Sequence, residues 1–164
     1  MKRIIFAVLF MGLAYSMSFA QSEVKIAVDE VMGKINEQTP ALTEYRDKLD
    51  LENKELEERI IVLKYHKGNK EVSEACQLVV NRVEEYYNAV VEKVSQFESI
   101  WFDQQRNLVS IYTRYGELKE ATGGGTNELA DFATAHENYL QLIDNLKSDL
   151  IRVYSNIGFI KNSI

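Results

Sequence analysis

Apolar residues recur at steps of three and four along most of this chain, and the longest such run sets the pattern for the rest. From Lys70 to Ala121, about fifty residues pass without a proline and with one glycine, Gly116. Val72, Cys76, Val79, Val83, Tyr86, Val90, Val94, Phe97, Trp101, Leu108, Ile111, Tyr115 and Leu118 form one apolar line. A second line, Val80, Tyr87, Val91, Phe102, Val109 and Tyr112, lies one residue further on. Strand alternation cannot produce this spacing, so the run predicts one very long helix. At 1.5 Å per residue it spans roughly 75 Å, far beyond the ~12 residues of an average helix. Two adjacent lines make a face wide enough for two partner helices.

The flanking segments read as helices of the same kind. Glu23 to Gln38 carries Val24, Val28, Val31 and Ile35 on one side, with Ser22 available as N-cap. Thr39-Pro40 then predicts a break and a fresh start, threonine as cap and proline at the first helical position. The next helix runs to about His66 on Leu42, Tyr45, Leu49, Leu56, Ile60 and Leu63. Asp47, Lys48, Glu52, Lys54, Glu55, Glu57, Glu58 and Arg59 crowd its other faces and read as a solvated surface. Lys67-Gly68-Asn69 closes it, offers Asn69 as the next cap, and is short enough to demand an antiparallel hairpin. Thr122-Gly123-Gly124-Gly125-Thr126 reads as a flexible turn; it lacks the lysine and preceding strand of a phosphate loop. The last helix has the cleanest spacing: Leu129, Phe132, His136, Tyr139, Ile143, Leu146, Leu150, Val153, Ile157 and Ile160, with Gly158 as a C-cap. The fold class is all-α, an elongated antiparallel, coiled-coil-like bundle of three or four helices around one very long central helix.

The first twenty residues are of another kind. Lys2 and Arg3 lead an apolar core from Ile4 to Ala14, and Ser18-Phe19-Ala20 supplies small residues at the end. This is the pattern of a secretory signal peptide cut after Ala20, its apolar core too short to span a bilayer of about 30 Å. Residues 21–164 then form a single helical-bundle domain, exported to the periplasm or the exterior of a bacterium, with no transmembrane segment. Loss of Lys2 and Arg3 takes the formal charge from −6 to −8, a balance that argues against nucleic acid as a partner. One cysteine, Cys76, cannot make an internal disulfide and reads as a small core residue.

Catalytic chemistry finds few candidates. His66 suits the C-terminal end of a helix, where a basic group meets the last carbonyls. His136 falls on an inward line between Phe132 and Tyr139, where a four-helix bundle can place an axial haem or metal ligand, with Met32 as a formal second ligand. No Cys-x-x-Cys-His attaches haem, and neither histidine has the glutamate three residues earlier that di-iron bundles use. Two scattered histidines do not supply the base of a nucleophilic set, so the chain reads as a non-enzyme without cofactor or metal. Tyr86, Tyr87, Tyr112, Tyr115, Tyr139 and Tyr154 fall on the apolar lines and serve either core packing or a binding surface. On helix lengths, Val80, Tyr87 and Val91 are a candidate interaction patch, which the helix from Glu23 to Gln38 folds back to cover or leaves open to another protein or a second copy.

The opening Val24-Lys25-Ile26-Ala27-Val28-Asp29 and the charged helix from Ala41 to Ile60 resemble the start of the periplasmic Skp/OmpH chaperones. The resemblance covers about forty residues. It implies a holdase for unfolded outer-membrane proteins, with the opening as a strand paired to strands near the C-terminus; that family is usually basic, whereas this chain is acidic. The leading expectation is a structural or adaptor protein acting through a helix face, with the holdase as alternative and a haem or metal carrier third.

Overall fold

The computed structural model describes the backbone of residues 2–122 and 127–164, and side-chain surroundings for residues 25–98, 113 and 130–164. The chain is all-helical, with three helices packed against each other: α1 Lys2–Tyr65, α2 Lys70–Thr122 and α3 Asn127–Lys161. No strand occurs among the described residues, so the strand implied at residues 24–29 is helix instead. The triple-glycine segment at residues 123–126, expected as a turn, and the side chains of the apolar lines from Trp101 to Leu118 lie outside the described residues.

The break expected at Thr39-Pro40 does not occur, and three helices stand where four were allowed, because α1 runs through Pro40. An interior proline removes one backbone hydrogen bond and crowds the carbonyl four residues back, at about 3 kcal/mol. Two features offset that cost. Asn36 and Pro40 are both exposed, so water reaches the freed carbonyl. Buried positions within the second unit also keep helical spacing across the proline: Gln38, Leu42 and Leu49. A new helix start would tear that line apart.

The turn between α1 and α2 follows from local chemistry. Gly68 holds φ at 82°, a left-handed conformation that a side chain disfavours, and ends the helix. The Asn69 side-chain oxygen then accepts from the backbone N–H of Glu71 at 3.0 Å and Val72 at 3.3 Å, capping α2. At the other end α3 passes through Gly158, the expected cap, to Lys161. Ile160 is fully buried, and its packing holds the additional turn.

Two compact units divide the chain. In the first, Met1–Asn36 with Ile100–His136, the buried side chains among the described residues are Val28, Val31 and Ile35 of α1 and Phe132 of α3. The Phe132 ring lies parallel to His136, centroids 6.0 Å apart. The second unit is Glu37–Ser99 with Glu137–Ile164, and most of the described buried side chains belong to it. Leu42, Leu49, Leu56 and Leu63 come from α1, and Cys76, Val80, Val83, Val90 and Val94 from α2. From α3 come Tyr139, Ile143, Leu146, Leu150, Val153, Ile157 and Ile160. Among the described residues, no helix is long and apolar enough to cross a membrane.

Leu49 is fully buried and Leu51, two residues away, is 65% exposed. Leu49→Ala is expected to lower the unfolding free energy by about 2–5 kcal/mol, and Leu51→Ala by less than about 0.5 kcal/mol, in urea denaturation of the full chain. Equal losses for the two variants contradict this facing of α1.

Candidate interaction surface

The seam between α1 and α2 is where the charged run of α1 acquires partners. Tyr45, Glu52 and Arg59 each follow a buried leucine by three residues, and so lie beside the core rather than opposite it. Arg82 of α2 reaches Glu52 at 2.7 Å and also pairs with Glu55, while Arg59 turns to Glu55 at 3.5 Å. The Glu52 side chain is only 14% exposed, so this part of the run is helix–helix seam instead of solvated surface. The Arg82 hydrogen bond is the main force holding the Glu55 carboxyl below its ordinary range, and Glu55 in turn raises the Arg82 guanidinium. Lys48 places its Nζ 4.0 Å from the centre of the Tyr86 ring, a cation–π contact. Burial, reinforced by Glu44, Tyr45 and Glu52, pushes the Tyr86 hydroxyl up to about 12. Cys76 is buried nearby, and burial raises its thiol against the opposing pull of Arg59. Such a thiol is a poor nucleophile at neutral pH.

The polar contacts between α1 and α3 are partly internal. Tyr139 donates from its hydroxyl to Gln38 Oε1, and burial pushes that hydroxyl up to about 12. Asn156 donates to Asn53 Oδ1 at 2.8 Å, and Asn53 donates to Glu57 at 2.6 Å. Nearer solvent, Arg152 sits 3.2 Å from Asp50. The Lys54 hydrogen bond, ahead of Arg152, lowers the exposed Asp50 carboxyl. Lys161 bonds Glu84 at 2.6 Å and Lys147 pairs with Glu98, both joining α3 to α2.

The sequence-derived patch divides. Val80 has no exposed surface and belongs to the core, whereas Tyr87 and Val91 are half-buried. Tyr87 meets Tyr154 of α3 with ring centroids 6.0 Å apart and planes tilted by 33°. Tyr154 is 64% exposed and Ile151, one turn before it, 69%. Tyr154 sits one residue past the buried Val153, and that single step off the inner line is the signal that distinguishes it from Tyr139. On α1, Leu51, Ile61 and Tyr65 are exposed, and on α2, Leu78. The side chains around the expected cleavage point after Ala20 lie outside the described residues. Among the described residues, no three His, Cys, Asp or Glu side chains converge as a metal site.

His136 is half-buried, and burial lowers its imidazole below the ordinary value. A lowered folded value means that the unfolded chain binds more protons in this range. The contribution is complete above the unfolded value of about 6.5 and is lost as pH falls toward the folded value. His136→Leu is therefore expected to lose less stability than the parent chain between about pH 7 and pH 5, measured by thermal melts in parallel. An identical pH dependence contradicts this role for His136. Compared with protein-family models, curated proteins and solved structures, the chain matches none.

Proposed function

We propose that this protein is an exported, non-enzymatic helical bundle that works as a structural or adaptor protein by binding another protein through a helix face. This reading rests on the exposed Tyr154, its ring against the half-buried Tyr87 and its neighbour Ile151 one turn away also exposed. Tyrosine supplies large contact area at low entropic cost and is enriched where binding energy concentrates. Val91, one turn beyond Tyr87 on α2, extends the same face. The apolar core and small-residue end of the first twenty residues support export, with cleavage after Ala20.

In this reading the second unit is an antiparallel arrangement with α2 as its central helix. The ion pairs support it: on passing from Lys147–Glu98 to Lys161–Glu84, the α3 number rises while the α2 number falls. The α1–α2 contacts behave likewise, Lys48 with Tyr86 and Glu52 with Arg82. An antiparallel arrangement leaves α2 touching both neighbours, which suits its two apolar lines.

A photo-crosslinking amino acid at position 154, expressed in the native bacterium, tests the proposal. The expected outcome is one discrete cross-linked protein, on a chain whose N-terminus by intact mass is Gln21. Absence of any product, or retention of Met1 in the cytosol, overturns it. Many products, together with suppressed aggregation of an unfolded membrane protein, identify a holdase instead.

A further inference from the structure

The buried leucines of α1 recur at every seventh position, Leu42, Leu49, Leu56 and Leu63. Sliding α3 along α1 by seven residues brings leucine where leucine was. Burial of this line changes only at its ends and cannot choose between the two alignments. The surface pairs choose weakly as well, since exposed contacts such as Arg152 with Asp50 gain little against solvent.

Two internal polar contacts do not repeat at seven. Tyr139, 2% exposed, donates to Gln38 Oε1, and Gln38 is 9% exposed. Fifteen residues further along α1, Asn53, 1% exposed, accepts from Asn156 Nδ2 and donates to Glu57. A slip of seven in one direction sets Asn156 against Ile60. The opposite slip sets Gln38 against the fully buried Leu146. Either way a buried amide loses its partner and bears the desolvation cost alone.

We propose that Gln38–Tyr139 and Asn53–Asn156 are registry keys, which fix the alignment of α3 on α1 and contribute specificity rather than stability. A buried polar pair traded for apolar groups of similar size is often neutral or stabilising, while the single well-defined alignment is what it protects.

The test uses the full chain in a Cys76→Ala background, with spin labels at Lys54→Cys and Leu140→Cys. These positions are staggered along the bundle, so a slip of seven residues changes their separation by up to about 10 Å. The parent is expected to give one distance. The combined variant Gln38→Met, Tyr139→Phe, Asn53→Leu, Asn156→Leu is expected to stay helical, melt no lower than the parent and show a second distance. A single unchanged distance, or a clearly lower melting temperature, overturns the proposal. If the fourfold variant does not fold, Asn53→Leu with Asn156→Leu is read in its place. A second distance there supports the keys; one unchanged distance, or failure of this variant to fold, overturns them.

Discussion

Four leucines at seven-residue intervals, Leu42, Leu49, Leu56 and Leu63, have to be kept from water along roughly 32 Å of one helix. No single helix can shelter its own stripe, and burying each leucine is worth about 1.5–3 kcal/mol. Val80, Val83, Val90 and Val94 of α2 and Leu146, Leu150, Val153 and Ile157 of α3 are buried together with that stripe in the second unit. The valines of α2 are shorter than the leucines they accompany, and large against small is how facing layers interdigitate. Continuity of α1 through Pro40 follows from the same demand, because inward positions before and after the proline share one spacing.

Polar groups are placed around this core by how much water they retain. Arg82, with Glu52 and Glu55, bridges α1 and α2 at the rim, where partial solvation keeps the cost of charge low. Asn53 and Gln38 are neutral amides, the form of polarity that a nearly dry position tolerates when each is hydrogen-bonded. Tyr139 and Tyr154 show one residue type used in both settings. The first buries its ring and hydroxyl, and the second lays its ring beside Tyr87 and leaves most of it to solvent.

Much of this was legible in residue spacing. The line from Phe132 to Ile160 is buried as read except for the half-buried His136, since a strict three-four alternation leaves one choice of inner face. The Gly68–Asn69 turn was equally readable, because left-handed glycine and side-chain capping are local effects. Pro40 was misread for the opposite reason: local chemistry favours a start, and only the tertiary continuity of buried positions on either side outweighs it. On α2 two apolar lines competed, and Val80 from the second joins Cys76 and Val83 from the first in the core. Periodicity gives the width of such a face, not which part of it a neighbour covers. The role of Glu52 was hidden because its partner, Arg82, is thirty residues away in the chain. Tyr154 is 64% exposed and not on an inner line, because it falls one residue past the buried Val153, whereas Tyr139 keeps the inner spacing.

Three helix segments share the core of the second unit and stand or fall together. Native-state amide hydrogen exchange on the full chain tests this most directly. The prediction is that the slowest amides around Leu49 and Leu56, Val80 and Val90, and Leu146 and Val153 exchange with the same free energy, equal to that of global unfolding. Exchange of any one of these segments at a much lower free energy than the other two would contradict a shared core.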